Sequence, residues 1–337
     1  MTHAPKPLSF GGHALWHNPG SRLSLIWLIF LGFLALSADF WASDKPLLMR
    51  LHGQTYLLTN LFDPTSLYAY DNQNLEAALT GDDWLLLPAV PWGPNAQDKT
   101  DAPLSPPSGE HWLGTDGARR DVAARLVHGT RVALGVGGLA VTLALLLGLT
   151  VGLLAAYLGG RWDSVLTRLT EGVIALPAVF IMLAVMGVLE KSGVGALIVV
   201  IGCLSWGRIA RLVRAEARRV LAMDYLAAAV ALGLSGPRIL VRHVLPNVLS
   251  PVLISATFIF ASTLLIEASL SFLGMGVPDR VASWGGLLHG AMGHFYAWWL
   301  VLPPGFAIFA TVLALSSVGE TLRDAFDPRL EIPTSRG

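Results

Sequence analysis

The residues with the most legible chemistry lie between Tyr225 and Asn247, in the stretch YLAAAVALGLSGPRILVRHVLPN. Arg238 and Arg242 stand one helical turn apart, so a helix presents both guanidinium groups on one face, a geometry suited to carboxylates on another surface. Tyr225 to Leu232 reads as an alanine-rich helix, and Gly233 suits the left-handed residue that ends one. Ser235 is placed to cap a second helix, with Pro237 in its first turn, where a missing amide hydrogen costs nothing. Pro246 and Pro251 are expected to close that second helix and open the apolar run that follows. The expected product is two short helices at an angle, alanines and leucines on one side and arginines on the other.

Two carboxylates sit inside apolar runs, Glu171 and Glu267. A carboxylate is costly in hydrocarbon, so each is expected to face a protein interior or a wet cavity, either on a translocation path or as a packing hydrogen bond. Other motifs do not carry the chemistry they imitate. Gly135 to Ala140 copies a dinucleotide fingerprint but lies inside an apolar run and follows no strand. Gly148 and Gly152 form a small-residue pair whose plain meaning is close helix packing. His289 and His294 have no common metal-ligand spacing. The sequence has no GxxxxGK[ST] phosphate loop and a single cysteine, Cys203, so neither a bound cofactor nor a thiolate metal cluster is expected.

The elements that hold these residues are apolar. Of 337 residues 53% are hydrophobic and 14% charged, against about 25% charge in soluble domains. Six runs approach the ~20 residues that cross a bilayer: 23–42, 131–157, 166–189, 194–212, 249–273 and 298–318. Between the fourth and fifth lie Arg208, Arg211, Arg214, Arg218, Arg219, Arg238 and Arg242 against only Glu216 and Asp224. Burying seven arginines would cost on the order of 20 kcal/mol, so this loop belongs outside the membrane, and short basic loops stay cytoplasmic. Six spans then place both termini in the cytosol. A net charge of zero gives no sign of a nucleic-acid partner.

Residues 43–126 differ from the rest. They are rich in Pro, Asn, Asp and aromatics, with strand-like pieces at Gln54–Leu58 and Trp84–Leu87 and a linker-like DKTDAPLSPPSGEH ahead of Trp112. The reading is a small extracytoplasmic subdomain, with 1–22 a cytoplasmic N-terminus, 23–42 the first span, 127–330 the transmembrane core, 208–248 its cytoplasmic loop and 331–337 a tail. Trp284, Trp298 and Trp299 fit an interfacial aromatic belt. Asp324 and Asp327 with Arg323 and Arg329 read as a solvated ion-pair cluster.

Four stretches together carry a resemblance. HWLGTDGARRDVAARLVHGTRVAL from His111, the loop bearing Gly233, His243, Leu245, Pro246 and Asn247, IEASLSFLGMGVPDRVASWGGLL from Ile266 and VGETLRDAFDPRL from Val318 resemble, in order, the dipeptide/oligopeptide class of ABC-transporter permeases. The match covers roughly 111–330. SDKPLLMR near Lys45 and the VGETLRDAFDPR ending look most like Yej-type permeases for oligopeptides and microcin C, with nickel or another solute of the class, or a secondary transporter, as alternatives. The resemblance implies an all-α polytopic fold of six spans, a five-span core with an extra N-terminal span and a periplasmic subdomain between spans one and two. It also implies no enzymatic role for this chain. The partners it implies are a second homologous permease subunit, two cytoplasmic ATPase subunits, a periplasmic peptide-binding protein and membrane lipid in the bacterial inner membrane. Onto the family's ATPase-docking EAA loop fall Ala228, Ala229, Gly233, Arg238, Arg242, His243, Pro246 and Asn247. Three departures stand out: Ala227 to Ala229 replace the loop's acidic residue, Arg119 stands where the family pattern has glycine, and Glu320 where many members have aspartate.

Overall fold

The computed structural model describes residues 16, 18–51, 53–62, 79–81, 83–189 and 193–326. The chain is mainly helical. Helix α1 (Pro19–Leu36) opens with the Asn18 side chain accepting from the Gly20 amide, and a short α2 (Ala38–Trp41) follows. The segment that comes next holds strands β1 (Leu48–Leu51) and β2 (Gln54–Leu57), a helical turn α3 (Thr59–Phe62) and strand β3 (Trp84–Leu86). The two expected strands are present, and β1, unforeseen, lies between them in an antiparallel sheet of order β2-β1-β3. Met49 and Leu51 point from alternate positions of β1 into a small core with Tyr56, Leu79 and Leu85.

Helix α4 (Val122–Leu158) runs 37 residues, about 55 Å, and separates this subdomain from the arginine loop. After the Gly159–Gly160 turn come α5 (Gly160–Ala175) and α6 (Ala178–Val188), then α7 (Val194–Leu221). The loop supplies α8 (Asp224–Ala231) and α9 (Gly236–Ile239), and α10 (Leu245–Phe272), α11 (Trp284–Gly290) and α12 (Leu302–Phe326) complete the order.

Among the described residues five helical stretches are long and apolar enough to cross a membrane, or six if α5 and α6 count as one. The expected third span, 166–189, is not one straight helix: α5 and α6 meet at 79° across Leu176 and Pro177. The physical cause is Pro177, which lacks a donor and forces Leu176 into extended backbone (φ −71°, ψ 135°).

Glycines set the central packing. Gly148 faces Ile209, Gly152 faces the Ala210 carbonyl and Val213, and Gly202 faces Leu143 and the Ala140 carbonyl, so α4 and α7 run parallel at close approach. This is the helix packing that the Gly148/Gly152 spacing predicts. Helix α5 lies antiparallel to α7, with Gly207 against Ile174 and Asp163 bound to Arg214 and Arg218. Helix α1 packs on α12, where Trp27 Nε1 donates to Thr311 Oγ1 at 3.2 Å.

Two expectations are corrected here. Trp284 and Trp299 are not an exposed belt: both are almost wholly buried, their indole N–H groups donating to the carbonyls of Leu126 and Thr115 at 3.0 and 3.1 Å, and only Trp298 is half exposed. Each indole has found a backbone acceptor inside the protein, which removes the need for water at its polar edge. The linker-like 98–111 stretch is also pinned. Asp98 and His111 at its two ends are each about 1% exposed, and the Asp98 amide donates to the Arg119 carbonyl.

Candidate functional site

The arginine loop is built as its sequence suggests at one end and differently at the other. Helix α8 ends in a Schellman turn: Gly233 has φ +80°, its amide donates to Val230 O, and the Leu234 amide reaches back to Ala229 O at 3.2 Å. Ser235 occupies the cap position of α9 with extended backbone, although its side chain makes no capping bond, and Pro237 lies in the first turn. Gly236 lies directly under the Tyr157 ring of α4, where a Cβ would collide with the phenol. The second helix does not close at Pro246. It passes through a π-turn at Leu240–Val244 straight into α10, with Pro246 in the first turn of α10 and Pro251 inside it. A wider turn tolerates prolines that would break a regular ladder, and the Asn247 side-chain amide donates to His243 O at 2.7 Å beside the disturbance.

The loop's inward face is apolar: Leu226, Ile239 and Val244 are buried with Val213, Ala217 and Val220 of α7, and Ala229 packs against them. The outward face is mixed rather than purely basic. Tyr225, Ala228, Val230, Leu232 and Val241 are exposed there alongside Arg238 and Arg242. His243 is half buried, its ring 6.2 Å from that of Tyr225, and Pro246 is exposed.

Ion pairing separates the loop's arginines into two groups. Arg214 holds Asp163 through two bonds of 2.5 and 2.8 Å, Arg218 joins the same carboxylate, and Arg219 pairs with Glu216. Arg238 and Arg242 have no carboxylate partner among the described residues. Glu171 lies on α5 in a cavity of about 520 Å³ with Thr167, Thr170, Arg211 and Arg214. Glu267 is fully buried in α10, accepting from Ser271 Oγ at 2.8 Å, while Ser271 Oγ in turn lies 3.3 Å from the Val277 amide of the next loop. The two carboxylates are therefore in separate places. Asp327 and Arg329 lie outside the described residues.

A polar cluster at the other end of α4 escaped the sequence reading. Asp121 caps α4 by accepting the Ala124 amide through Oδ1, and its Oδ2 lies 2.8 Å from His111 Nδ1. His111 Nε2 faces Asp98 Oδ2 at 3.2 Å, with Trp92 stacked 4.7 Å from the imidazole. Burial opposes charge on both groups, yet the paired hydrogen bonds prevail: Asp121 and Asp98 raise His111 above its ordinary value, while bonds from Thr100, His111 and the Asp101 amide hold Asp98 at about 2.

Beside it, Arg120 clamps Asp279 of the α10–α11 loop through bonds of 2.9 and 3.0 Å, and its Nε reaches Asp116 at 2.8 Å. Arg125 Nη2 donates to Asp279 O at 3.1 Å. The Arg120 guanidinium depresses the Asp279 carboxyl against the opposing effect of burial. The available signal was Arg120 and Arg125 five residues apart at the mouth of an apolar run, a place where an unpaired charge is expensive.

A family model described as "Binding-protein-dependent transport system inner membrane component" matches residues 148–332. The chain is 39% identical over 232 residues to a putative peptide transport system permease protein of Brucella suis biovar 1, which covers 68% of this chain and 77% of that one. It is 39% identical over 264 residues to a putative peptide permease protein of Brucella ovis, covering 77% and 84%. With the dipeptide transport system permease protein DppC of Alkalihalophilus pseudofirmus it shares 39% over 230 residues, 68% of this chain and 75% of the relative.

Proposed function

We propose, given that this chain belongs to the family of binding-protein-dependent transport system inner membrane components, that it is the permease subunit of an ATP-driven peptide importer. Its relatives' names supply the substrate class. The observation that carries the mechanism is the loop from Asp224 to Val244: two helices fixed to the bundle by an apolar inner face, with Arg238 and Arg242 unpaired among the described residues and exposed Tyr225, Val230 and Leu232 beside them. An exposed surface of that kind suits an acidic, partly apolar groove on another protein.

In this reading Ala228, Ala229, Gly233, Arg238, Arg242, His243, Pro246 and Asn247 form or shape the knob on which an ATPase subunit docks. ATP is bound elsewhere, because the sequence has no phosphate loop. Closure of two ATPase subunits pushes on the knob, and since Gly236 abuts Tyr157 of α4 and Val244 leads directly into α10, the push reaches both helices at once. The bent pair α5–α6 serves as the third of six crossings. Both termini and the loop face the cytosol, and the sheet-bearing subdomain faces the periplasm, where a peptide-binding protein delivers substrate to this chain and a second permease subunit. The SDKPLLMR stretch near Lys45 and the VGETLRDAFDPR ending favour oligopeptides or microcin C-like conjugates, the Yej-type subclass. Glu267 acts as a packing carboxylate, and Glu171 borders an inner wet cavity.

The test is purification of the assembled complex from native membranes. Wild-type protein should bring down an ATPase, and the double variant Arg238→Glu/Arg242→Glu should lose it while reaching the membrane at normal levels. Retention of the ATPase by that variant would sink the docking assignment.

A further inference from the structure

The end of the bundle opposite the arginine loop carries a cavity of about 680 Å³ between α6 and the loop that follows α10. Its walls are Met186 and Leu189 on one side and Gly274 to Arg280 on the other. That volume lies within the range of small-ligand sites. The walls are apolar and adaptable, since methionine at 186 and 275 fills irregular space without a fixed shape. Charge enters only at the rim, through Asp279 and Arg280.

These neighbours are not equivalent. Asp279 is held by both terminal nitrogens of Arg120, and its backbone carbonyl accepts from Arg120 and Arg125. Its carboxylate is engaged by the Arg120 guanidinium. Around it Arg120 and Arg125 balance Asp116 and Asp279. Arg280 is exposed and has no ion pair or hydrogen bond among the described residues, so the rim keeps one uncompensated positive charge beside an apolar hollow.

We propose that this hollow is a receiving site for a short peptide, whose C-terminal carboxylate is taken by Arg280 while its side chains rest against Met186, Leu189, Met275 and Val277. The assignment rests on the peptide-permease reading and adds to it a residue and a recognised group. A guanidinium matches a carboxylate with two parallel bonds, which an ammonium cannot do. Apolar, flexible walls read no particular side chain, so the terminus common to all peptides supplies orientation. The Arg120 clamp has a defined part: without it Asp279 is released to pair with Arg280 and cancel the receptor charge.

The experiment uses the assembled transporter in proteoliposomes with its binding protein, and compares uptake of tri-alanine with that of its C-terminal amide. The ratio of the two rates is taken for wild type and variant separately, so that the delivering protein's own preference cancels. Arg280→Gln is expected to lower the acid-to-amide ratio at least tenfold, and Arg280→Lys to retain part of it. Arg120→Gln should lower the same ratio. An unchanged ratio in Arg280→Gln overturns the assignment alone. A wild-type assembly that imports neither peptide overturns the peptide reading itself and the assignment with it.

Discussion

Arg119 adopts φ +62°, in the left-handed region where a Cβ is strained. Its amide donates to Asp116 O and its carbonyl accepts from Asp98, so the conformation is fixed by what it joins. Replacing Arg119 by glycine removes about 1–2 kcal/mol of strain and adds roughly 0.5–1 kcal/mol of unfolded-chain entropy. The expected outcome is a gain of a few tenths to about 1 kcal/mol, read as a higher melting temperature of the detergent-purified protein. Eight residues away, His111 lies between Asp98 and Asp121. Its folded-state pKa is raised above 6.5, so its stabilising charge is fully present below that value and is lost as pH rises through the raised one. Asp98 acts at the other end, contributing above its ordinary 3.8 and losing its contribution as pH falls to about 2. The melting temperature should therefore fall as pH climbs through the imidazole range, and His111→Gln should flatten that limb. A wild-type profile without that limb would contradict the arrangement.

Among the elements, the pairing of α4 with α7 rests on missing side chains. A Cβ at Gly152 would lie 2.6 Å from Ala210 O and 2.7 Å from Val213, and one at Gly148 would lie 2.6 Å from Ile209. Gly152→Leu should cost about 1–3 kcal/mol through overpacking and loosen the base on which the arginine loop stands. Purified variant protein should melt earlier and be cut more readily by protease within α8 to α9; unchanged melting would show that the two helices can part without penalty. This pairing was legible, because four-residue glycine spacing has one common use in apolar helices. The continuous run through the π-turn into α10 was not. Pro246 and Pro251 read as breakers, yet the helix continues past them through the π-turn, with Val244 and Val248 buried in the core beside it.

For the molecule as a whole, the 37 residues of α4 set the subdomain and the loop at opposite ends. A variant with Cys203 replaced by serine and a single cysteine at Ala102 should react with a membrane-impermeant maleimide from the periplasmic side. One with its cysteine at Ala228 should react only after the membrane is opened. Labelling of Ala228→Cys in intact spheroplasts would reverse the orientation. Apolar runs, glycine spacing and the seven loop arginines announce a membrane bundle with one basic loop, because hydrophobicity and charge act through composition and need no knowledge of neighbours. Which arginines remain unpaired, which tryptophans are buried, how far α5 and α6 bend and what Asp279 meets are matters of distance between residues far apart in the chain. Asp163 meets Arg214 across 51 positions, and Asp279 meets Arg120 across 159. Ion pairs and indole hydrogen bonds act over a few ångströms, and only the folded backbone brings such groups within that reach.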